Sequence, residues 1–377
     1  MLTVLLLADA AVAARQAADP QGGPEGVLGM PTVLPGTVLP LPEAPPDVLW
    51  TVPIAAGPAT SPILAGEHVV ISHLPGVIAA HRVSNGERIW QKDLVPEQRL
   101  VADATMLFVA SGEAIHALRL TDGAVAWRAP AGTLTAPLLV KSGWVIASTA
   151  TRLMALRAAD GTALWTIDAP AQREGAAISG ETLFVPSSDG YIRARDLKSG
   201  NPIWQHRLGG QPGEPVVVGE SLLVSGTDKA LYKLSAATGE ESWRFRVGAS
   251  IRGPAASDGE RVFVTALDNM IRALDLGNGA LKWQVGLPFR PLTGPVVAGG
   301  TVFITSPGTD IKMLRTLNGT QAGNISFPAK LAITPGMQES EYGVAIVAIT
   351  GGLEESWNLL ITRPVRALPA TAPPPKR

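Results

Sequence analysis

The chain has 377 residues, and its 31 Lys and Arg against 32 Asp and Glu leave a net charge of −1, without the basic footprint that nucleic-acid binding requires. Hydrophobic residues reach 46% and charged residues only 17%, which excludes a disordered chain and supplies apolar area for a large core. Cysteine is absent, so disulfides, thiolate metal sites, iron–sulfur clusters and thiol nucleophiles are excluded together.

Segment 1–20 opens with MLTVLLLADAAVAA, a short apolar run followed by Ala-x-Ala steps, the pattern of an export signal. No Lys or Arg precedes the run and Asp9 interrupts it, which fits a frayed apolar start equally well. The run is too short to cross a bilayer, so no transmembrane segment is expected. Residues 21–46 are rich in Pro and Gly without either regular period and read as an extended linker. Residues 365–377 form a similar Pro-rich tail.

Between them, 47–364 repeats. Trp50, Trp90, Trp127, Trp165, Trp204, Trp243 and Trp283 recur 37 to 40 residues apart, and the last six close a shared phrase with Gly four positions earlier. The copies run from AHRVSNGERIW (80–90) through ALRLTDGAVAW, ALRAADGTALW, ARDLKSGNPIW and KLSAATGEESW to ALDLGNGALKW (273–283). A further copy, MLRTLNGTQAG, keeps Gly319 but has Gly323 in place of Trp. Each phrase reads as strand, turn, strand: a polar residue favours the turn, and Gly86, Gly123, Gly161, Gly200, Gly239, Gly279 and Gly319 take the positive φ. Two further apolar runs precede each phrase, for example PVVVGE and SLLVSG, so every period holds four strands, A to D. Four antiparallel strands every 40 or so residues predict a β-propeller.

Seven units are complete; LAITPG, YGVAIVAIT and SWNLLITR then supply three strands without a fourth, and DVLWTVP (47–53) is a D-type strand without its other three. Joining them predicts an eight-bladed, all-β ring closed by the N-terminal strand, which leaves no raw sheet edge at the seam. Seven blades is the alternative, if the last three strands pack elsewhere.

The motif A-x-D-x-x-x-G-x-x-x-W, fullest at Ala194, Asp196, Gly200, Trp204 and at Ala273, Asp275, Gly279, Trp283, resembles the tryptophan-docking repeat of quinoprotein-like propellers. That resemblance implies a Trp wedged between blades and speaks to fold, not chemistry. Among the branches of the superfamily, length and blade count resemble the BamB-like envelope scaffolds, which help to assemble outer-membrane β-barrel proteins without a catalytic site. This branch implies a periplasmic or envelope location, a protein partner such as a β-barrel-assembly component, and a propeller acting as a monomer within a complex. The chain departs from it in lacking the lipidated Cys. The quinone-dependent dehydrogenases of the superfamily imply pyrroloquinoline quinone and calcium; no segment here matches their catalytic Asp or calcium ligands. A small-ligand sensor is the remaining alternative, and no catalytic, cofactor or metal residue is assigned.

In a propeller the D-to-A connections and B-to-C turns share one face. That face carries Arg99, Arg173, Arg252 and Arg290, and Ser250-Ile251-Arg252-Gly253 resembles the apolar-x-Arg-Gly loop by which BamB-like scaffolds contact their partner. An exposed Ile beside Arg is the composition of an interface anchor, with an ordinary solvated loop as the alternative reading. The same face has Asp189, Asp228, Asp268 and Asn269, for which turn chemistry is the first reading and a calcium or polar ligand the second. On the opposite face the Asp position of the motif is taken by Arg82, Arg119, Arg157 and Arg315, expected as a basic arc or as solubilising charges. If Leu74 and Pro75 form a two-residue turn, His68 and His81 face each other across a hairpin.

Overall fold

The computed structural model describes residues 46–340, 343–352 and 355–365. The apolar N-terminal segment, nearly all of the Pro/Gly-rich linker, and residues 366–377 of the tail lie outside the described residues. The strands form eight antiparallel sheets of four, and the described residues hold no helix. In chain order, blades 1 to 7 span 58–93, 101–130, 139–168, 177–207, 216–246, 251–286 and 296–326. Blade 8 takes its A, B and C strands from Gly336–Ser340, Gly343–Gly352 and Glu355–Thr362, and its D strand from Val48–Ile54. The ring is therefore eight-bladed and closed by the N-terminal strand. The first strand of blade 8 starts later than LAITPG implies, directly after Pro335, because Pro cannot donate to a ladder. Leu331 instead makes an isolated bridge to Thr350.

The repeat Trp docks each blade on the next. Trp90 Nε1 donates to the Leu120 carbonyl at 2.7 Å, and Trp50, Trp127, Trp165, Trp204, Trp243 and Trp283 donate to Val83, Ala158, Leu197, Ala236, Leu276 and Thr316 in the same way. The indole rests on the repeat Gly of that neighbour, at φ near +70°; a Cβ on Gly161 would lie 2.5 Å from the Trp127 ring. The motif Ala is the cross-strand partner of its own Trp, as Ala155 is of Trp165, and its small side chain leaves room for the ring. Buried indole area and one satisfied N–H per joint explain the choice of Trp.

One joint has no Trp, and its parts are absent together. Blade 8 has chain ends where other blades have their C-to-D turn, so it offers no repeat Gly, and blade 7 has Gly323 where the Trp would stand. Met313 replaces the motif Ala opposite Gly323, its methyl group 3.8 Å from where a Cβ would be. An apolar cluster of Phe303, Ile325, Phe327, Leu331, Ile346 and Leu360 fills this joint.

The opposing His68 and His81 expected in blade 1 are corrected. The turn takes three residues, Leu74 to Gly76, the last at positive φ, so His68 pairs with Arg82 and His81 with Val69. A third loop residue in the left-handed region is the common way to close such hairpins, and Asn269 does the same in blade 6. His81 is buried, and its Nδ1 donates to the carbonyl of Gly86, the docking glycine for Trp50. Burial, helped by the charge of Arg88, pushes the His81 pKa below its ordinary 6.5 against the Gly86 hydrogen bond. His116 is lowered in the same direction, first by burial. Below pH 6.5 the unfolded chain takes protons that these folded imidazoles refuse. Stability is therefore complete above that pH and lost as pH falls through the lowered folded values, with a slope of at most about 1.4 kcal/mol per pH unit for each group. Urea titrations across the acid range should show this decline, shallower in His81→Asn; an unchanged slope would exclude His81 as its source.

Candidate functional site

The D-to-A face is built from short inner strands, the loops feeding them, and the B-to-C turns beside them. Two inner strands are long, Pro58–Ala65 and Ile251–Ser257, against three residues in blades 3, 4, 5 and 7. The second starts within the Ser250-Ile251-Arg252-Gly253 segment, at Ile251. Ile251 pairs with Ala266 and Arg252 with Thr265, but the ladder resumes only at Ala256 and Phe263, so Gly253, Pro254 and Ala255 form a bulge opposite Val264. Gly253 has φ +63°, and a Cβ there would strike the backbone of Gly294 in the next connection. Such a bulge re-aims the neighbouring side chain, and Arg252 is exposed beside it.

The expectation of an exposed Ile251 is corrected: it is half-buried against Leu223, Leu231, Val262 and Val264, because the strand pairing of blade 6 begins at this residue. Ser250 is exposed and gives its carbonyl to Leu267 N. Arg173 and Arg290 are exposed, and among the described residues no ion-pair or hydrogen-bond partner holds the side chains of Arg173, Arg252 or Arg290.

Arg99 is differently placed. Its guanidinium makes two hydrogen bonds to Glu214, at 3.0 and 2.7 Å, from the inner connection of blade 2 to that of blade 5. The pair passes over Gly175 of blade 4, where a Cβ would sit 2.8 Å from Arg99 Nη2. The adjacent Gln98 Nε2 donates to Leu134 O, and Glu97 accepts from Gly112 N, so 97–99 is tied to two further points of the face. Burial opposes the Arg99 charge, but the hydrogen bond and charge of Glu214 outweigh it and raise the Arg99 pKa. Burial, then the nearby Glu214 charge, pushes the Glu174 carboxyl up. No sequence signal announces this pairing, since its partners lie 115 residues apart and meet only when the ring closes.

The acidic turn residues of the face serve their own turns. Asp189 receives both prongs of Arg193 at 2.8 and 2.6 Å, and Asp268 those of Arg272 at 3.2 and 2.7 Å. Asp228 accepts the Tyr232 hydroxyl at 2.6 Å, while its Oδ1 is buried against Gly226 without a hydrogen-bond partner. Held by guanidinium and phenol groups and standing in separate turns, these carboxylates do not fit a quinone-and-calcium site. Among the described residues, no group of three or more His, Asp or Glu could hold a metal ion. On the opposite face three members of the expected basic arc are neutralised within their own turns, Arg82 with Glu87 at 3.6 Å, Arg119 with Asp122 and Arg157 with Asp160 at 2.8 Å, while Arg315, half-buried, has no ion-pair partner among the described residues. The three paired arginines stand at the Asp position of the motif and brace the turns from the other sign of charge.

The sequence model of the family described as outer membrane protein assembly factor BamB matches residues 74–215 and 189–334, together more than half of the chain. The chain is 27% identical over 209 residues to the outer membrane protein assembly factor BamB of Yersinia pestis, a match covering 46% of this chain and 52% of that relative. It thus spans about half the length of the curated relatives it matches. Its fold is similar to the crystal structure of BamB from Moraxella catarrhalis, with TM-score 0.68 and 16% identity over 84% of this chain and 99% of that one. It is also similar to the quinohemoprotein alcohol dehydrogenase of Comamonas testosteroni, with TM-score 0.66 and 11% identity over 86% and 77% of the two chains. At these identities both structural likenesses concern the fold alone.

Proposed function

Because the chain belongs to the outer membrane protein assembly factor BamB family, we propose that it is a non-catalytic protein-docking scaffold of the bacterial envelope that assists assembly of outer-membrane β-barrel proteins. Loop docking on the D-to-A face, with strand addition to an exposed blade edge as a second mode, asks for a rigid platform and no tuned acid or base. The observation that carries the reading is the exposed Arg252 beside a glycine bulge, with Arg290 on the next connection, both side chains without an ion-pair or hydrogen-bond partner among the described residues. Arginine is the residue best suited to such a contact, since its planar fork can take carboxylates or carbonyl groups in pairs. Arg173 belongs to the same exposed set, and Ser250 directly precedes the strand that carries Arg252, whereas Ile251 packs on the apolar cluster of blades 5 and 6. Among the described residues no helix is long and apolar enough to cross a membrane, which says nothing of β-barrels.

The test is crosslinking capture from the envelope fraction of the source cells, with Arg252→Glu and Arg290→Glu variants that keep the wild-type melting curve. A β-barrel-assembly component should be recovered with wild type and fall about tenfold or more with each variant. Equal recovery with both variants would move the docking surface elsewhere, and no envelope partner at all would remove the scaffold reading.

A further inference from the structure

The D-to-A face is electrically divided, although the chain is almost neutral overall. From blade 4 onward four of its carboxylates are already occupied: Asp189 by Arg193, Asp228 by Tyr232 with Arg246 at 3.7 Å, Asp268 by Arg272, and Glu214 by Arg99. Glu174, in the connection into blade 4, is exposed without an ion-pair partner among the described residues; beyond it the exposed unpaired charges are cationic. Arg207 at the end of blade 4, Lys229 in the turn of blade 5, Arg252, Arg290, and Lys330 before blade 8 are all exposed, and none has an ion-pair partner among the described residues. They lie on successive blades, one step of the ring apart. Arg207 also lies 5.9 Å over the Tyr191 ring, which steadies its guanidinium. Asp310, half-buried in blade 7, is the carboxylate on this arc that has no ion-pair partner among the described residues. Across the ring the exposed charges are mixed: Asp93, Glu97, Glu113 and Asp168 stand on blades 1 to 3, with Arg152 opposite Asp168 and Arg173 in the connection out of blade 3.

We infer that the partner meets this face with carboxylates, as an acidic polypeptide segment laid along the arc of Arg207, Lys229, Arg252, Arg290 and Lys330. The inference rests on the docking reading above and names its partner chemistry. A curved row of cations matches a chain that can follow it, whereas a flat anionic lipid surface would press against the opposing carboxylates at the same time. Three of the five positions, Lys229, Arg290 and Lys330, lie in connections and turns, Arg207 ends its strand and Arg252 stands beside a bulge; exposed charges of this kind set encounter rate and orientation.

The test is fluorescence anisotropy of labelled poly-L-glutamate with the full chain, against poly-L-lysine and phosphatidylglycerol vesicles. The variants are Arg252→Glu/Arg290→Glu and, on the opposite face, the swapped pair Arg119→Asp/Asp122→Arg, all checked for unchanged melting. Poly-L-glutamate should bind at low salt and release at high salt, weaken about tenfold or more in the first variant and stay unchanged in the second. Failure to bind it, equal binding by the arc variant, or preference for vesicles would overturn the inference. The two readings separate in the capture experiment. Loss of partner in Arg252→Glu without poly-L-glutamate binding leaves the docking site and removes its acidic partner. Arc-dependent binding of poly-L-glutamate without any envelope partner supports the carboxylate specificity and removes the docking reading.

Discussion

Gly161→Ala is expected to destabilise the ring by about 2–4 kcal/mol, combining the left-handed backbone that Ala resists with the overpacking of a full joint. At φ +72° the added Cβ would lie 2.5 Å from the indole of Trp127, the ring that blade 2 inserts against blade 3. Trp127→Ala, at a residue 9% exposed, should cost about 3–5 kcal/mol through the cavity it leaves and the orphaned Ala158 carbonyl. The diagnostic result is non-additivity. With the indole removed, the methyl group of Gly161→Ala has space, so the double variant should be about 1–2 kcal/mol more stable than the sum of the single changes. Gly143→Ala is the control, since Gly143 has φ +82° with no atom within 4 Å of its would-be Cβ, and should show the backbone penalty alone. Denaturant midpoints for these variants measure each term, and simple additivity would mean that the Trp–Gly contact is incidental to the joint.

The second large effect concerns the seam. Removing residues 1–54 takes the D strand from blade 8, stripping the pairing of Trp50, Thr51 and Val52 with Ile361, Leu360 and Leu359. The same step removes Trp50 and Val52 from the cluster that joins Val69, Ile71 and Ala79 of blade 1 to Val347, Ile349 and Leu359 of blade 8. An apolar C strand would become a bare edge beside an undocked Gly86, so the truncated chain should lose its cooperative melt and aggregate. A synthetic peptide covering 46–55, added in trans, should restore both. A truncated chain melting within about 2 °C of the full one would show that the remaining blades hold the ring unaided.

The joints were legible in the primary structure because each is written locally. Gly161 and Trp165 stand four residues apart within one hairpin, and the partner of each lies one repeat away, so a period of 37 to 40 residues already encodes who docks on whom. The lone Trp50 at one end and three strands at the other likewise announced the shared blade. The histidine register was not legible, because turn length in 74–76 depends on how Gly76 is held, and one residue of slip moves His68 from His81 to Arg82. The exposure of Ile251 was misread for a related reason: composition suggested a loop, whereas the strand of blade 6 reaches back to include it.

By itself the sequence determined the all-β class, the four-stranded repeat and the Trp and Gly that mark each copy, since these follow from short-range periodicity and turn chemistry; the structure then chose eight blades over seven and set each Trp on the Gly of the next repeat. Only the tertiary structure decided which charges are free. Arg99 and Arg252 are alike as residues on one face, yet Arg99 meets Glu214 across 115 positions while the Arg252 side chain, beside the Gly253 bulge, has no ion-pair or hydrogen-bond partner among the described residues. Arg119 and Arg157 read as a basic arc until their own turns fold Asp122 and Asp160 against them. Charge pairing depends on distances set by ring closure and hairpin register, and these lie beyond any local pattern.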